Sequence, residues 1–528
     1  MSAVAEGQTE TRPENRKLFF RALAAVVLIV VGLLMVLPRP FHERNYVIDA
    51  GGCRLTTTLI DPKESPARGT VLLLHGLAAN RKIMTYLANG YAAMGLRVFV
   101  PDLPGHGKTD GEFSPARAEE CSENLLRELR SRGLAPPDKT ILAGHSMGGA
   151  IAMRVGARVP VAGVIAISPA PMRAKHGAMS ETLLYENPPP LPPFTEVMNG
   201  GLEFAAMRDN AKDLLQPGRD VSSHYDVVPG ATHTSLLSDS RVVRLSQEWA
   251  NKALHLSGNA VLLPARWSLI GALCGLAGLF LLSGPFLREA TGKAFRDKAE
   301  YPAETTQAVL WWQASAEILL MGAAAVELLH YWTPPNLFRL FEGDYLIVFL
   351  SFVGLLLLVA HRKEAAETLR LRPLTMLGAL LAAVMLLLLF TAWLELSLTE
   401  AWLDATRWQR FPPIFLAVLP FLLGEELLLG PVTRRDTAEA VRPRGAWQRL
   451  LRGLLYRFLL WLPLLGGALL LHSGEILMVL LVPFFALFCV AQRWGMDVVR
   501  EVTASAAAAA LFGAILLAGF FLVIFPLH

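Results

Sequence analysis

Long apolar runs decide what this chain can fold into. The first, LFFRALAAVVLIVVGLLMVL, spans residues 18–37, and about 20 such residues suffice for a helix to cross the hydrocarbon of a bilayer. Eight more candidate spans follow in the second half, roughly 267–286, 308–331, 345–360, 374–396, 411–429, 453–471, 476–491 and 503–525. In lipid every backbone polar group must be satisfied within its own segment, so runs of this kind are helices. Residues 261–528 therefore read as an all-α transmembrane bundle of about eight helices, 18–40 as a transmembrane anchor and 1–17 as a polar, disordered N-terminus. A cleaved signal peptide would end in small residues. Here Pro38, Arg39, Pro40 and Phe41 follow the run, which favours a retained anchor.

The loops supply a separate test of the span count. Cytoplasmic loops carry an excess of Lys and Arg. Strongly basic segments contain Arg12, Arg16, Lys17 and Arg21; then Arg288, Lys293, Arg296 and Lys298; then Arg362, Lys363, Arg370 and Arg372; then Arg434, Arg435, Arg442, Arg444 and Arg449. They alternate with loops poor in basic residues. One topology satisfies all of them: N-terminus inside a cytoplasmic membrane, residues 45–260 outside, C-terminus outside. The net charge is only +4 and its basic residues sit beside apolar runs, so the partner they suit is the bilayer surface, not nucleic acid.

Residues 45–260 read differently. VLLLHG, RVFVPD, TILAGHS and GVIAISPA are short apolar runs that end at Gly, Pro, Asp or Ser, with amphipathic helical stretches between them. Near-continuous apolar strands belong to a parallel sheet covered on both faces, and the alternation with helices gives a doubly wound α/β fold. NYVIDA and RLTTTLID form a leading hairpin around Gly51 and Gly52.

One of these strands runs into GHSMG, a Gly-x-Ser-x-Gly pattern around Ser146. Alone the pattern is weak, since about 0.1–0.2 matches arise by chance in a chain of this length at ordinary glycine usage. Its context gives it weight. It leaves a strand and opens a helix, where a nucleophile on a sharp turn needs neighbours without side chains. Gly144 and Gly148 occupy those positions.

Taken together, LLLHGLAAN (72–80), VFVPDLPGHGKTDG (98–111), LAGHSMGG (142–149) and VVPGATH (227–233) resemble the α/β-hydrolase family, in its monoacylglycerol lipase and serine aminopeptidase branch. The resemblance covers about 200 residues and is more specific for fold than for substrate. It implies an oxyanion hole from the backbone N–H groups of Leu77 and Met147. It implies a base that follows the nucleophile and acid in the chain, which His233 satisfies better than His224. Where the family has an Asp in a Gly-x-x-Asp turn, this chain has Glu203, one methylene longer; Asp209, Asp213, Asp220 and Asp226 compete for the role. The family's lid corresponds to residues 170–193. Neither a metal nor an organic cofactor is implied.

Several residues fall outside this pattern. Cys53, Cys121, Cys274 and Cys489 have no metal-ligand spacing and make no disulfide framework, although a Cys53–Cys121 bond is compatible with an oxidising compartment. Glu317, Glu327, Glu395, Glu425 and Glu426 lie in or near apolar spans, where carboxylates are costly. GEELLLGPV is similar to the Glu-Glu-x-x-x-Arg motif of membrane-embedded prenyl-protein proteases, but position 430 is Gly, so a helix-end or an interhelical hydrogen-bonding role is the expectation. The reading is a membrane-anchored serine hydrolase acting on a small-molecule or lipid acyl ester. An aminopeptidase or amidase of the same fold is the alternative, as is a transporter or sensor with a regulatory soluble part. The sequence fixes no oligomeric state.

Overall fold

A computed structural model describes residues 12–37, 41–62, 66–170, 191–192, 194–214, 222–261, 267–292, 309–332, 336–369, 371–430, 443–471 and 481–528. Eight strands form one sheet: β1 (His42–Ala50), β2 (Cys53–Asp61), β3 (Gly69–Leu74), β4 (Leu96–Pro101), β5 (Thr140–His145), β6 (Gly163–Ile167), β7 (Thr195–Gly200) and β8 (His224–Val228). Their order is β1-β2-β4-β3-β5-β6-β7-β8. The hairpin β1–β2 pairs antiparallel and β2 meets β4 antiparallel; the remaining pairs are parallel. The α/β fold expected from the strand pattern is present, in the α/β-hydrolase form that the resemblance of the motifs implies.

Period-two alternation along the strands divides the core into two faces. Leu72, Leu74 and Leu142 pack with Leu125 and Ile151, which belong to helices α3 (Pro115–Ser131) and α4 (Met147–Arg158). Val71, Leu73 and Ile141 pack on the other face with Leu87, Tyr91, Val242 and Trp249, from α2 (Thr85–Ala93) and α6 (Ser240–Ala253). Local chemistry sets the helix starts. The Ser114 side chain accepts from the Arg117 N–H ahead of Pro115, and the Asp239 side chain accepts from the Arg241 N–H, so each satisfies an otherwise orphaned donor. A further helix, α5 (Ala205–Leu214), follows β7. Cys53, the first residue of β2, is disulfide-bonded to Cys121 of α3, with their Cα atoms 5.6 Å apart. Scatter along the sequence argued weakly for that bond; it forms because the hairpin folds back over α3. Cys274 and Cys489 are free thiols.

The remaining helices are α1 (Arg12–Val36) and, after the sheet, α7 (Trp267–Gly292), α8 (Trp311–Tyr331), α9 (Gly343–Ala360), α10 (Arg362–Thr368), α11 (Pro373–Ser397), α12 (Ala405–Leu429), α13 (Pro443–Gly466), α14 (Val482–Thr503) and α15 (Ala506–Ile524). Among the described residues nine helices are long and apolar enough to cross a membrane: all of these except α10. α1 packs tightly on α7 through small residues. A Cβ on Gly32 would lie 2.7 Å from the Gly271 carbonyl oxygen, and one on Gly278 would lie 2.6 Å from that of Ala25. Such close backbone approach is how apolar helices associate where no hydrophobic drive exists.

One span differs from its expected position. The run at 476–491 predicts a helix there, whereas α14 covers Val482–Thr503, and residues 476–480 lie outside the described residues. The helix continues through Gln492, Arg493, Asp497 and Arg500 because partners for these polar groups come from neighbouring helices. Arg457 of α13 donates to both Glu425 oxygens, at 2.7 and 2.8 Å. Arg493 reaches Glu425 at 2.9 Å and also bonds Glu426. Arg449 bridges Glu426, at 2.5 Å, and Asp497, at 2.8 Å. Glu425 and Glu426 thus tie three helices together, as interhelical bonding requires.

The sheet sits on one end of the helices. The Arg407 guanidinium, near the start of α12, donates to the Gly105 carbonyl at 3.0 Å. Leu527, beyond α15, accepts from the Phe113 N–H at 2.6 Å and donates to Gly105 at 2.9 Å. The loop after α11 docks on the segment after β3: Asn80 donates to Thr399 at 2.6 Å, and Arg81 meets Glu400 at 2.6 Å with both side chains buried.

Candidate active site

Parallel strands place their carboxyl ends on one edge, and ligands of such sheets bind there. Ser146 follows β5 at that edge, with φ +55° and ψ −120°, a backbone region costing a non-glycine residue about 1–3 kcal/mol. The neighbouring glycines make the turn feasible. A Cβ on Gly144 would lie 2.2 Å from the Gly148 oxygen, and one on Gly148 would lie 2.3 Å from the Leu74 oxygen. The Ser146 N–H is held by the Ile167 carbonyl at 2.9 Å. Met147 is the first residue of α4, so its N–H is among the donors that a helix leaves unsatisfied at its N-terminus. Leu77, in the loop after β3, lines the same cavity as Ser146.

His233, from the turn after β8, also lines that cavity. Its Nδ1 lies 2.6 Å from Glu203 Oε1, and both side chains are buried. The second carboxylate oxygen of Glu203 accepts from Asn199 Nδ2 at 2.7 Å and the Gly200 N–H at 2.9 Å. Burial opposes ionisation of Glu203, but the bonds from His233, Ser168 and Asn199 outweigh it and hold the carboxyl below its ordinary range. An ionised Glu203 fixes the proton of His233 on Nδ1 and leaves Nε2 free to accept one.

The competing residues are elsewhere. His224 starts β8, at the opposite edge, with its side chain more than half exposed and 3.3 Å from Glu196 and 3.5 Å from Asp226. Asp209 is exposed on α5; the Asp213 side chain, all of Asp220, and residues 171–190 and 193 of the expected lid lie outside the described residues. Glu196, His224 and Asp226 place their ligand atoms within 4.8 Å of one another. They are the set among the described residues that could hold a cation, at the edge away from Ser146. Burial, with Asp226 close by, pushes the Glu196 carboxyl up to about 8.

Sequence reasoning missed several supporting residues. Ser168 Oγ touches Glu203 and lies 2.9 Å from His233 Nδ1. Its signal was available: it directly follows β6, at the same sheet edge as Ser146. His145 donates from Nε2 to the His233 carbonyl at 2.9 Å. Burial and the adjacent His233 push its own pKa down to about 3, so it stays a neutral donor. His75 shapes the loop after β3. Its Nδ1–H donates to the Gly76 carbonyl at 2.8 Å and its Nε2 accepts from the Leu103 N–H at 2.9 Å, with burial lowering its pKa.

The second missed group anchors the loop after β3. Asp102 accepts from the Arg81 N–H at 2.8 Å and the Lys108 N–H at 2.9 Å, and pairs with the Arg81 guanidinium. Across the interface, Lys82 and Lys108 meet Glu395 at 2.9 and 2.8 Å, and Lys108 meets Glu400 at 2.9 Å. Leu77 lies only a few residues before this clamp, so its backbone is held from the helical side as well as from the sheet.

A family model described as "Alpha/beta hydrolase family" matches residues 71–351, more than half of the chain. The chain belongs to the α/β-hydrolase family. Among curated proteins, it is 36% identical over 115 residues to a monoacylglycerol lipase of Mycolicibacterium smegmatis, covering 21% of this chain and 40% of that one. It is 29% identical over 134 residues to the monoglyceride lipase of Homo sapiens, covering 25% and 44%. The chain thus spans about two fifths of the length of the curated relatives it matches. Among solved structures, a predicted CIB-like hydrolase of Thermoplasma acidophilum shares 20% identity at a TM-score of 0.32, covering 40% of this chain and 99% of that one.

Proposed function

We propose that this α/β-hydrolase family member is a membrane-anchored serine hydrolase that cleaves an acyl ester through Ser146, His233 and Glu203. The observation that carries the reading is the buried Glu203–His233 bond of 2.6 Å at a cavity that also holds Ser146 on its strained turn. Ser146 Oγ attacks the acyl carbonyl carbon while His233 Nε2 takes the hydroxyl proton. The N–H groups of Leu77 and Met147 hold the oxyanion. Collapse of the tetrahedral adduct expels the alcohol, which takes the proton from His233, and leaves an acyl-Ser146 ester. Water then attacks that ester, His233 accepts its proton and returns it to Ser146 Oγ, and the carboxylic acid departs. Glu203 orients His233 and offsets its transient charge.

Similarity to monoacylglycerol and monoglyceride lipases supports a lipid-like ester. In the proposed layout, 18–40 anchors the chain, 45–260 is the hydrolase domain and 261–528 is the helical domain. The hydrolase domain faces away from the cytoplasm. The basic segments near Arg21, Arg288 and Arg362 belong to the helix ends away from the sheet, and a disulfide between Cys53 and Cys121 suits an oxidising compartment.

Full-length protein in detergent, assayed on monoacylglycerols, short esters and aminoacyl amides, tests the reaction class. Ester turnover that disappears in Ser146→Ala is expected. Faster amide than ester cleavage would make the chain an amidase, and turnover surviving in Ser146→Ala would remove the serine mechanism.

A further inference from the structure

The cavity that holds Ser146 and His233 is about 970 Å³, at the upper end of ordinary ligand sites. Its walls come from two sources. Near Ser146 they are Leu77, Thr234 and Leu237, from loops of the sheet. Farther out they are Leu34 and Met35 at the end of α1, Leu269 at the start of α7, Leu398 after α11 and Phe484 at the start of α14. These outer residues lie at the ends of helices apolar and long enough to cross a bilayer. Leu34 is 67% exposed and Phe484 42% exposed, so the surface that would meet lipid tails and the wall of the catalytic cavity share the same side chains. α1 is fixed in place by its glycine contacts with α7, which makes this wall part of the fold.

The opposite wall is polar. Arg81, Lys82 and Lys108 face Glu395 and Glu400 there, and Arg81 also pairs with Asp102. Three cations and three carboxylates cancel. That wall offers hydrogen bonds and no surplus positive charge, so it suits an uncharged head better than a phosphate.

Resting on the serine-hydrolase reading, we propose that the ends of α1, α7 and α14 form the acyl-chain subsite of this enzyme, and that its substrate is a long-chain ester with an uncharged head, drawn sideways from the bilayer. The tail stays among Leu34, Leu269 and Phe484 while the ester carbonyl reaches Ser146. Moving along a continuous apolar wall, the tail never enters water, so its methylenes stay buried throughout the transfer. The membrane helices then select chain length and the sheet performs the chemistry.

The test uses full-length protein in phosphatidylcholine vesicles. One arm compares kcat/KM for 4-nitrophenyl palmitate and 4-nitrophenyl acetate in wild type, Leu34→Trp and Leu269→Trp. A ring in the wall should lower the palmitate-to-acetate ratio at least tenfold; an unchanged ratio overturns the proposal. A second arm needs no variant. A sixteen-carbon alkyl fluorophosphonate with a terminal diazirine is attached, irradiated and digested. Cross-links in the peptides containing Leu34, Leu269 or Phe484 are expected, and cross-links confined to residues 45–260 overturn the proposal. Attachment at Ser146 by a short fluorophosphonate, with cross-links in the wrong place, defeats the subsite alone. No attachment by either probe defeats the hydrolase reading beneath it.

Discussion

At the carboxyl edge of the sheet, Glu203 spends one oxygen on His233 and the other on Asn199 and the Gly200 N–H. Between α12, α13 and α14, Glu425 and Glu426 give their oxygens to arginines 449, 457 and 493. Both clusters are buried and both are anchored by glutamates. The first stops one group short of closure, since His233 turns a free nitrogen toward a cavity. The second is enclosed between helices, where Asp497 accepts further bonds from Arg449 and Arg493. A network open to a cavity can move a proton; one enclosed among apolar helices holds them in register. That contrast separates chemistry from architecture in a chain where both halves bury charge.

Four experiments would break or sharpen the contrast. Glu203→Gln keeps the shape but removes the charge that fixes the His233 tautomer, and kcat should fall roughly 10³–10⁴-fold. A loss under tenfold in a steady-state ester assay would mean that another carboxylate orients the base. Arg493→Met leaves Glu425 and Glu426 each short of a partner. Breaking such a buried network costs about 3–5 kcal/mol, which should appear as a lowered unfolding temperature in detergent. The fraction of folded protein that reacts at Ser146 should not change; a parallel loss would join the two clusters into one functional unit.

Glu400→Gln weakens the clamp on the loop that carries Leu77. Small misplacements of catalytic groups are costly, so kcat should drop about tenfold with KM for a short ester little changed. A rise in KM alone would put Glu400 in substrate binding. The smallest effect is on pH. Burial lowers the pKa values of His75, His106 and His145. Below about pH 6.5 the unfolded chain takes up protons that these rings refuse, so stability declines as pH falls from there toward 3. The raised Glu196 carboxyl acts in the opposite sense between its unfolded value and about 8, because its folded form holds the proton longer. Thermal unfolding of Glu196→Gln should therefore lose stability more steeply on acidification than wild type; an equal slope would contradict the assignment.

How far the sequence could be read depended on whether a residue's partner was local. Ser146, Gly144 and Gly148 were legible because strand, turn and helix are contiguous, and the steric need for glycine follows from the turn itself. The apolar spans were legible from length alone. Glu203 could be placed only by resemblance, since several carboxylates precede β8 and spacing does not separate them. The pairing of Arg81 and Lys108 with Glu400 was out of reach: it joins residues about 300 positions apart. A separation of 67 and 68 positions likewise hid the true extent of α14, whose polar residues look like a helix end until Glu425 and Glu426 are placed beside them.

Covalent capture at Ser146 tests the central claim most directly. Full-length protein treated with a fluorophosphonate and digested should carry the adduct on the peptide containing Ser146, with attachment lost in Ser146→Ala and slowed in Glu203→Gln. Equal attachment to wild type and Ser146→Ala, or none to either folded protein, would contradict the account.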